Sequence, residues 1–152
     1  MLGLLKISEA VSIAIHICAS LAENTRQYHS TRQVSEKLGF SAHHSAKVVQ
    51  QLVRAGVLES GRGPAGGARL ARTPKDITVL EIGTAVNGDP RPKGCLLKPA
   101  VCKGNCCVLG KFMAKENERL IEQFGVMTLE SVVNSLKRNR ADKKTKEGNH
   151  ET

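Results

Sequence analysis

Aromatic residues are scarce in this chain: it has no tryptophan, one tyrosine and three phenylalanines in 152 residues. Proteins that hold single-stranded nucleic acid by stacking its bases need aromatic platforms, so that mode of binding is excluded. No apolar run reaches the roughly 20 residues a membrane helix requires. The N-terminal segment has a lysine, apolar residues and small residues at Ala19, Ser20 and Ala22, the outline of a signal peptide. Glu9 and His16 interrupt that outline and the residues beyond continue a coherent fold, so no export signal is expected. No acid-base pair or nucleophile constellation stands out, and His16, His29 and His150 have no visible partners, so no enzyme and no small-molecule substrate are expected. Internal repeats are also missing.

What the chain has in excess is positive charge. Its 23 Lys and Arg stand against 14 Asp and Glu, a formal net charge of +9, which favours a polyanionic partner. The length suits one domain of ordinary size, or one compact domain with a long appendage. Five cysteines, an odd number without an export signal, point to a reducing cytoplasm, where clustered cysteines mean metal or redox chemistry more often than disulfides.

Helical periodicity begins at Ser8 and Glu9 and places Val11, Ala14, Ile15, Cys18 and Leu21 on one face, with Cys18 packed as a small hydrophobe. A short second helix lies between Tyr28 and Gly39, with Ser30 and Gln33 as a capping box and Gly39 as the stop. Ser41 caps a third helix, through Val48, Val49, Leu52 and Val53 to Gly56. Two short helices joined by Gly39, Phe40 and Ser41 form a helix-turn-helix pattern. Next come two short strands, Val57 to Ser60 and Ala68 to Ala71, around a glycine-rich turn. Directly after a helix-turn-helix, such a hairpin is the wing of a winged helix. Thr78 and Glu81 make a capping box for a helix from Val79 to about Asn87. The fold class is therefore mainly α with a small β-hairpin wing, residues 1–88.

Residues 89–107 hold Cys95, Cys102, Cys106 and Cys107 among turn-forming prolines and glycines. Soft thiolate donors gathered in one loop suit iron-sulfur or zinc ligation, but the paired spacing typical of structural zinc is missing. From Val108 to Phe124 a stripe of Leu109, Phe112, Met113, Leu120, Ile121 and Phe124 predicts a long helix suited to dimerisation. Thr128 caps a further helix through Leu136, completing residues 108–136. Charged residues 137–152 lack large apolar groups and are expected to form a disordered basic tail.

The wing sequence and the helix before it, "FSAHHSAKVVQQLVRAGVLESGRGPAGGARLAR", followed by "ITVLEIGTAVNG", "CLLKPAVCKGNCCVLG" and "TLESVV", resemble the Rrf-two family of bacterial winged-helix transcription regulators. The likeness covers nearly everything but the tail. It implies a homodimer that binds an operator in double-stranded DNA and carries an iron-sulfur cluster, [2Fe-2S] or [4Fe-4S], on three loop cysteines. Carried over, the ligands fall on Cys95 and Cys102, then on Cys107, which precedes an apolar pair as the family's third cysteine does; Cys106 is the alternative. Some relatives add a histidine three residues past the third cysteine, where this chain has Gly110. Others use a carboxylate from the partner's first helix. Ser8 stands at the matching position here, and a shift of one residue gives that role to Glu9.

The DNA-binding residues expected from the pattern are Ser41, His43, His44, Lys47 and also Gln50 in the third helix, facing the major groove. Arg62 of the wing is expected in the adjacent minor groove, with Gly66 and Gly67 letting the hairpin backbone approach phosphates. His43 and His44 point in different directions on a helix, which argues against a shared metal site. A cluster-free regulator that responds to thiol oxidation or a protein partner is the alternative, since Cys106 adjoins Cys107. A small electron-transfer protein would leave the winged helix without a purpose.

Overall fold

The computed structural model describes residues 7–63, 66–91 and 108–147, with side chains described through Asn139. In chain order it has α1 (Glu9–Leu21), α2 (Thr31–Leu38), α3 (Ala42–Arg54), β1 (Leu58–Gly61), β2 (Gly67–Leu70), a 3-10 turn (Pro74–Asp76), α4 (Val79–Asn87), α5 (Val108–Val126) and α6 (Leu129–Glu147).

Helix α1 is the centre of the core and packs against α2, α3, α4, α6 and β2. Ser8 caps it by accepting from the Val11 amide at 3.3 Å, and Glu9 places negative charge where the first turn's unpaired amides favour it. Val11, Ala14, Cys18 and Leu21 are buried as the periodicity predicts, Ile15 is only half-buried, and Ile13 and Ile17 are buried as well. The apolar face is wider than one stripe because neighbours press on α1 from several sides. Burial pushes the Cys18 thiol up to about 12, with the charge of Glu81 adding to the effect, so Cys18 packs as a hydrophobe.

Helix α2 ends where Gly39 adopts φ 73°, a left-handed conformation that L side chains resist; its amide returns to the carbonyls of Glu36 and Ser35. This turns the chain into α3, where Ser41 accepts from the His44 amide at 3.5 Å. Val48, Val49 and Leu52 then bury one face of α3 against α1 and α2. The expected capping bond from Ser30 does not form. The chain entering α2 is committed to extended pairing: His29 and Ala68 exchange amide and carbonyl bonds of 2.9 and 3.0 Å.

Helix α4 spans Val79–Asn87, and Thr78 accepts from the Glu81 amide at 3.1 Å. The Glu81 side chain does not close the second half of a capping box; it pairs with Arg72. The corner between α5 and α6 is tied to the start of α4 by Val79 N–H to Met127 C=O, 2.9 Å, and Leu129 N–H to Ile77 C=O, 2.8 Å. Leu129 is fully buried there, worth about 2 kcal/mol of apolar transfer.

The expectation for the basic tail is corrected in part. Helix α6 does not stop near Leu136 but continues to Glu147. Between Leu129 and Glu147 there is no proline or glycine, and lysine, arginine, alanine and glutamate all tolerate a helix well. A segment without large apolar residues can still be helical. Among the described residues, no helix is long and apolar enough to cross a membrane.

Candidate nucleic-acid interface

The first two turns of α3 present Ser41, His43 and Lys47 to solvent, with His44 half-buried beside them. Ser45, Val48 and Val49 face inward and fix the rotation of the helix. Gln50 is exposed on the same outward side. Arg54, in the last turn and exposed, extends this side and was not anticipated; its spacing of seven from Lys47 is the signal that marks it. Lys47 and Arg54 form no ion pair with any described residue. Their charge is available to a polyanion.

Strands β1 and β2 pair antiparallel, Leu58 with Leu70, Glu59 with Arg69, Ser60 with Ala68 and Gly61 with Gly67. One face sends Leu58, Ala68 and Leu70 into the core. Arg62 follows the last pair, exposed and without an ion-pair partner among the described residues. The glycines have an internal reason to be glycine besides any approach to phosphate. A Cβ on Gly66 would lie 2.6 Å from the Gly61 carbonyl oxygen, and one on Gly67, at φ 147°, would press into the His29 carbonyl. Opposite the core face, Arg69 pairs with Glu59 and lies 4.6 Å over the Tyr28 ring. No local pattern flagged this cluster, since Tyr28 is 31 residues from Glu59.

Cys95, Cys102, Cys106 and Cys107 lie outside the described residues, so the structure speaks only to what flanks them. The Ser8 hydroxyl donates to Asn87 Oδ1 at 3.1 Å, joining the cap of α1 to the last residue of α4. Asn117 of α5 donates to the Pro90 carbonyl at 3.0 Å. The chain therefore leaves α4 beside the start of α1 and along α5. Glu9 sits at that start with its side chain 78% exposed, and its nearest ionic neighbour is His44 Nδ1 at 4.0 Å. Among the described residues, no three His, Cys, Asp or Glu groups are gathered for a metal.

A helix-turn-helix whose second helix is open and basic on its outward side, followed at once by a hairpin with an unpaired arginine at its turn, defines a winged-helix DNA-binding protein of the regulator class. Residues 7–135 match the Rrf2 family, described as iron-dependent transcriptional regulators, and the chain belongs to that family. It is 36% identical over 78 residues to the HTH-type transcriptional regulator BadM of Rhodopseudomonas palustris, a match spanning 51% of this chain and about half, 50%, of that relative. Two solved structures share the fold. One is CymR, the global cysteine regulator of B. subtilis, with a TM-score of 0.73 and 23% identity over 87% of this chain and 98% of that one. The other is IscR of T. potens, with a TM-score of 0.70 and 24% identity over 87% of this chain and 88% of that one. Family members are transcriptional regulators that bind DNA, not enzymes.

Proposed function

We propose that this chain is a cytoplasmic, homodimeric regulator whose operator binding is modulated by an iron-sulfur cluster. One observation carries the proposal. The cysteine-bearing segment, residues 89–107, starts where Ser8 ties α1 to α4 and ends at α5, a 19-residue helix with no buried residue. A helix that leaves Leu109 46% and Phe112 57% exposed in one chain has an apolar stripe for a second copy. A cleft of about 510 Å³ adjoins it, lined by Ile7, Val11, Leu80, Phe124 and Met127. Residues 108–136 would form the dimer seam, residues 1–88 the DNA-binding domain.

Cys95, Cys102 and Cys107 would hold the cluster, two-iron or four-iron, with Cys106 as the alternative third ligand and Glu9 of the partner subunit as the fourth. When bound, such a cluster supplies iron that changes redox state or is lost on exposure to oxygen or nitric oxide. On the chain's side, Ser41, His43, His44 and Lys47 meet the major groove, Arg62 enters the minor groove, and Gly66 and Gly67 keep the wing backbone close to phosphates. Dimer geometry sets the separation of the two α3 helices, about one turn of DNA.

The test is anaerobic purification followed by absorption and electron paramagnetic spectra, with DNA binding measured before and after nitric oxide or oxygen. Visible absorption lost in Cys95→Ser, Cys102→Ser and Cys107→Ser, with the folded dimer retained, is the expected result. A full cluster in all three variants would overturn the ligand set. A second reading, regulation by thiol oxidation without a cluster, is favoured by the adjacency of Cys106 and Cys107. It requires a colourless protein whose DNA affinity follows thiol redox state.

A further inference from the structure

The hairpin has only four residue pairs, with the single His29–Ala68 bridge along the free edge of β2, and a ribbon of that size is marginal in water. Its core face is held by Leu58, Ala68 and Leu70. On the opposite face stand Glu59, Gly61, Gly67 and Arg69, and the segment before α2, paired along the edge of β2, lays the Tyr28 ring over this face. The Tyr28 ring lies so close to Gly61 that a Cβ at that position would come within 2.9 Å of it. The Arg69 guanidinium lies over the same ring, 4.6 Å from its centre. Its Nε donates to Glu59 Oε1, its Nη1 donates to the Arg26 carbonyl at 3.3 Å, and the Tyr28 hydroxyl donates to Glu59 Oε1 at 3.3 Å.

We infer that Tyr28, Glu59 and Arg69 are positioning residues for the wing: they clamp its last strand pair to the segment before α2 and so hold Arg62 at a fixed tilt toward the minor groove. The inference rests on the DNA-binding reading above and divides the two wing arginines between roles. Arg62 follows Gly61, the residue that touches the ring, and no described acid neutralises it. Arg69 is committed on one face to the Tyr28 ring and along its edge to Glu59 and the Arg26 carbonyl, so most of its recognition surface is already engaged within the protein. A planar guanidinium can stack flat on a ring while donating in its own plane, a geometry that a tetrahedral ammonium does not reproduce. The glycine at position 61 leaves room for the ring. Without the clamp, the marginal ribbon would carry its arginine on a swinging tip, and ordering that tip would be charged against every binding event.

The experiment is a double-mutant cycle in the full chain. Its DNA is a duplex recovered by selection from random sequence on the wild-type protein. Arg62→Ala and Arg69→Ala should each weaken binding roughly tenfold, the loss of one good groove contact. In the Arg62→Ala background, Arg69→Ala should cost nothing further, because it acts only through Arg62. Losses that multiply, or an Arg69→Ala variant that binds like wild type, overturn the inference. If Arg69→Ala does not fold, Arg69→Lys takes its place in the same cycle, keeping the charge and losing the fork.

Trypsin cleavage after Arg62 supplies a readout that needs no DNA. It should proceed several-fold faster in Arg69→Ala and in Glu59→Gln than in the wild type, while cleavage elsewhere keeps its rate. Equal rates overturn the clamp. If selection on the wild type recovers no duplex, the DNA-binding reading fails, and the cleavage rates still decide whether the clamp exists.

Discussion

Nδ1 of His44 stands 4.0 Å from a carboxylate oxygen of Glu9. The contact joins the first turn of α1, where the proposed fourth ligand sits, to the first turn of the DNA-facing helix α3. The two residues proposed for the two functions of this chain thus stand side by side, at a separation longer than a hydrogen bond.

Glu9 contributes little to folding by itself. Its side chain is 78% exposed, and an exposed pair of this length is worth well under about 1 kcal/mol. Glu9→Ala should therefore leave the urea midpoint of the cluster-free protein almost unchanged while altering the visible spectrum of the loaded dimer. An unaltered spectrum would remove Glu9 from the ligand set. A large drop in the midpoint would instead make it a structural residue.

Ser45 is fully buried on the inward face of α3, and its hydroxyl has no hydrogen-bond partner among the described residues. A buried polar group left unpaired costs about 1–3 kcal/mol. Alanine removes the hydroxyl, fits the same space and is the better helix former. Ser45→Ala should raise stability by about 1 kcal/mol, read from chemical denaturation with an unchanged slope. Destabilisation by a similar amount would show that the hydroxyl has a partner in solution.

The clamp on the wing has a pH signature. Hydrogen bonding from Arg69 holds the Glu59 carboxyl below its ordinary value, against a smaller opposing effect of burial. A carboxylate depressed in the folded state stabilises fully above the ordinary carboxylate range, and that contribution is lost as pH falls through the lowered value. The single tyrosine of the chain lies in this cluster and the chain has no tryptophan, so intrinsic emission reports on the clamp directly. Emission should stay constant from neutral pH down to the ordinary carboxylate range and change below it. In Glu59→Gln that step should vanish; its persistence would assign it to another group.

Where the sequence was legible, the determinants are local. Ser41 and Thr78 each bond an amide three residues on, and Gly39 ends α2 by its own backbone conformation. Those signals, with one apolar face per helix, placed α1, α3, α4 and the wing. What was not legible depends on distance along the chain. Arg69 reaches the Arg26 carbonyl across 43 residues, and His29 pairs with Ala68 only because the hairpin folds back over it. That pairing also explains why the expected Ser30 cap is unused. The length of α6 is not legible for another reason: a charged segment without large apolar groups has the composition of a disordered tail, yet it carries no helix breaker.

The apolar stripe of α5 gives the last prediction. The second half of α5 packs on α4 and half-buries Leu120, Ile121 and Phe124, yet Val108, Leu109 and Phe112 lie within its first two turns, 84%, 46% and 57% exposed. An apolar patch on a helix that its own fold leaves uncovered is a liability unless a second copy covers it. A charge at Phe112 should then separate the subunits without unfolding either, since the side chain supports no contact in the protomer's core. Phe112→Glu should sediment as a monomer at concentrations where the wild type is a dimer, with unchanged helical circular dichroism. DNA affinity should fall steeply with it, because two half-sites bound as one unit become two separate, weaker events. A dimer that survives Phe112→Glu would move the seam off this end of α5.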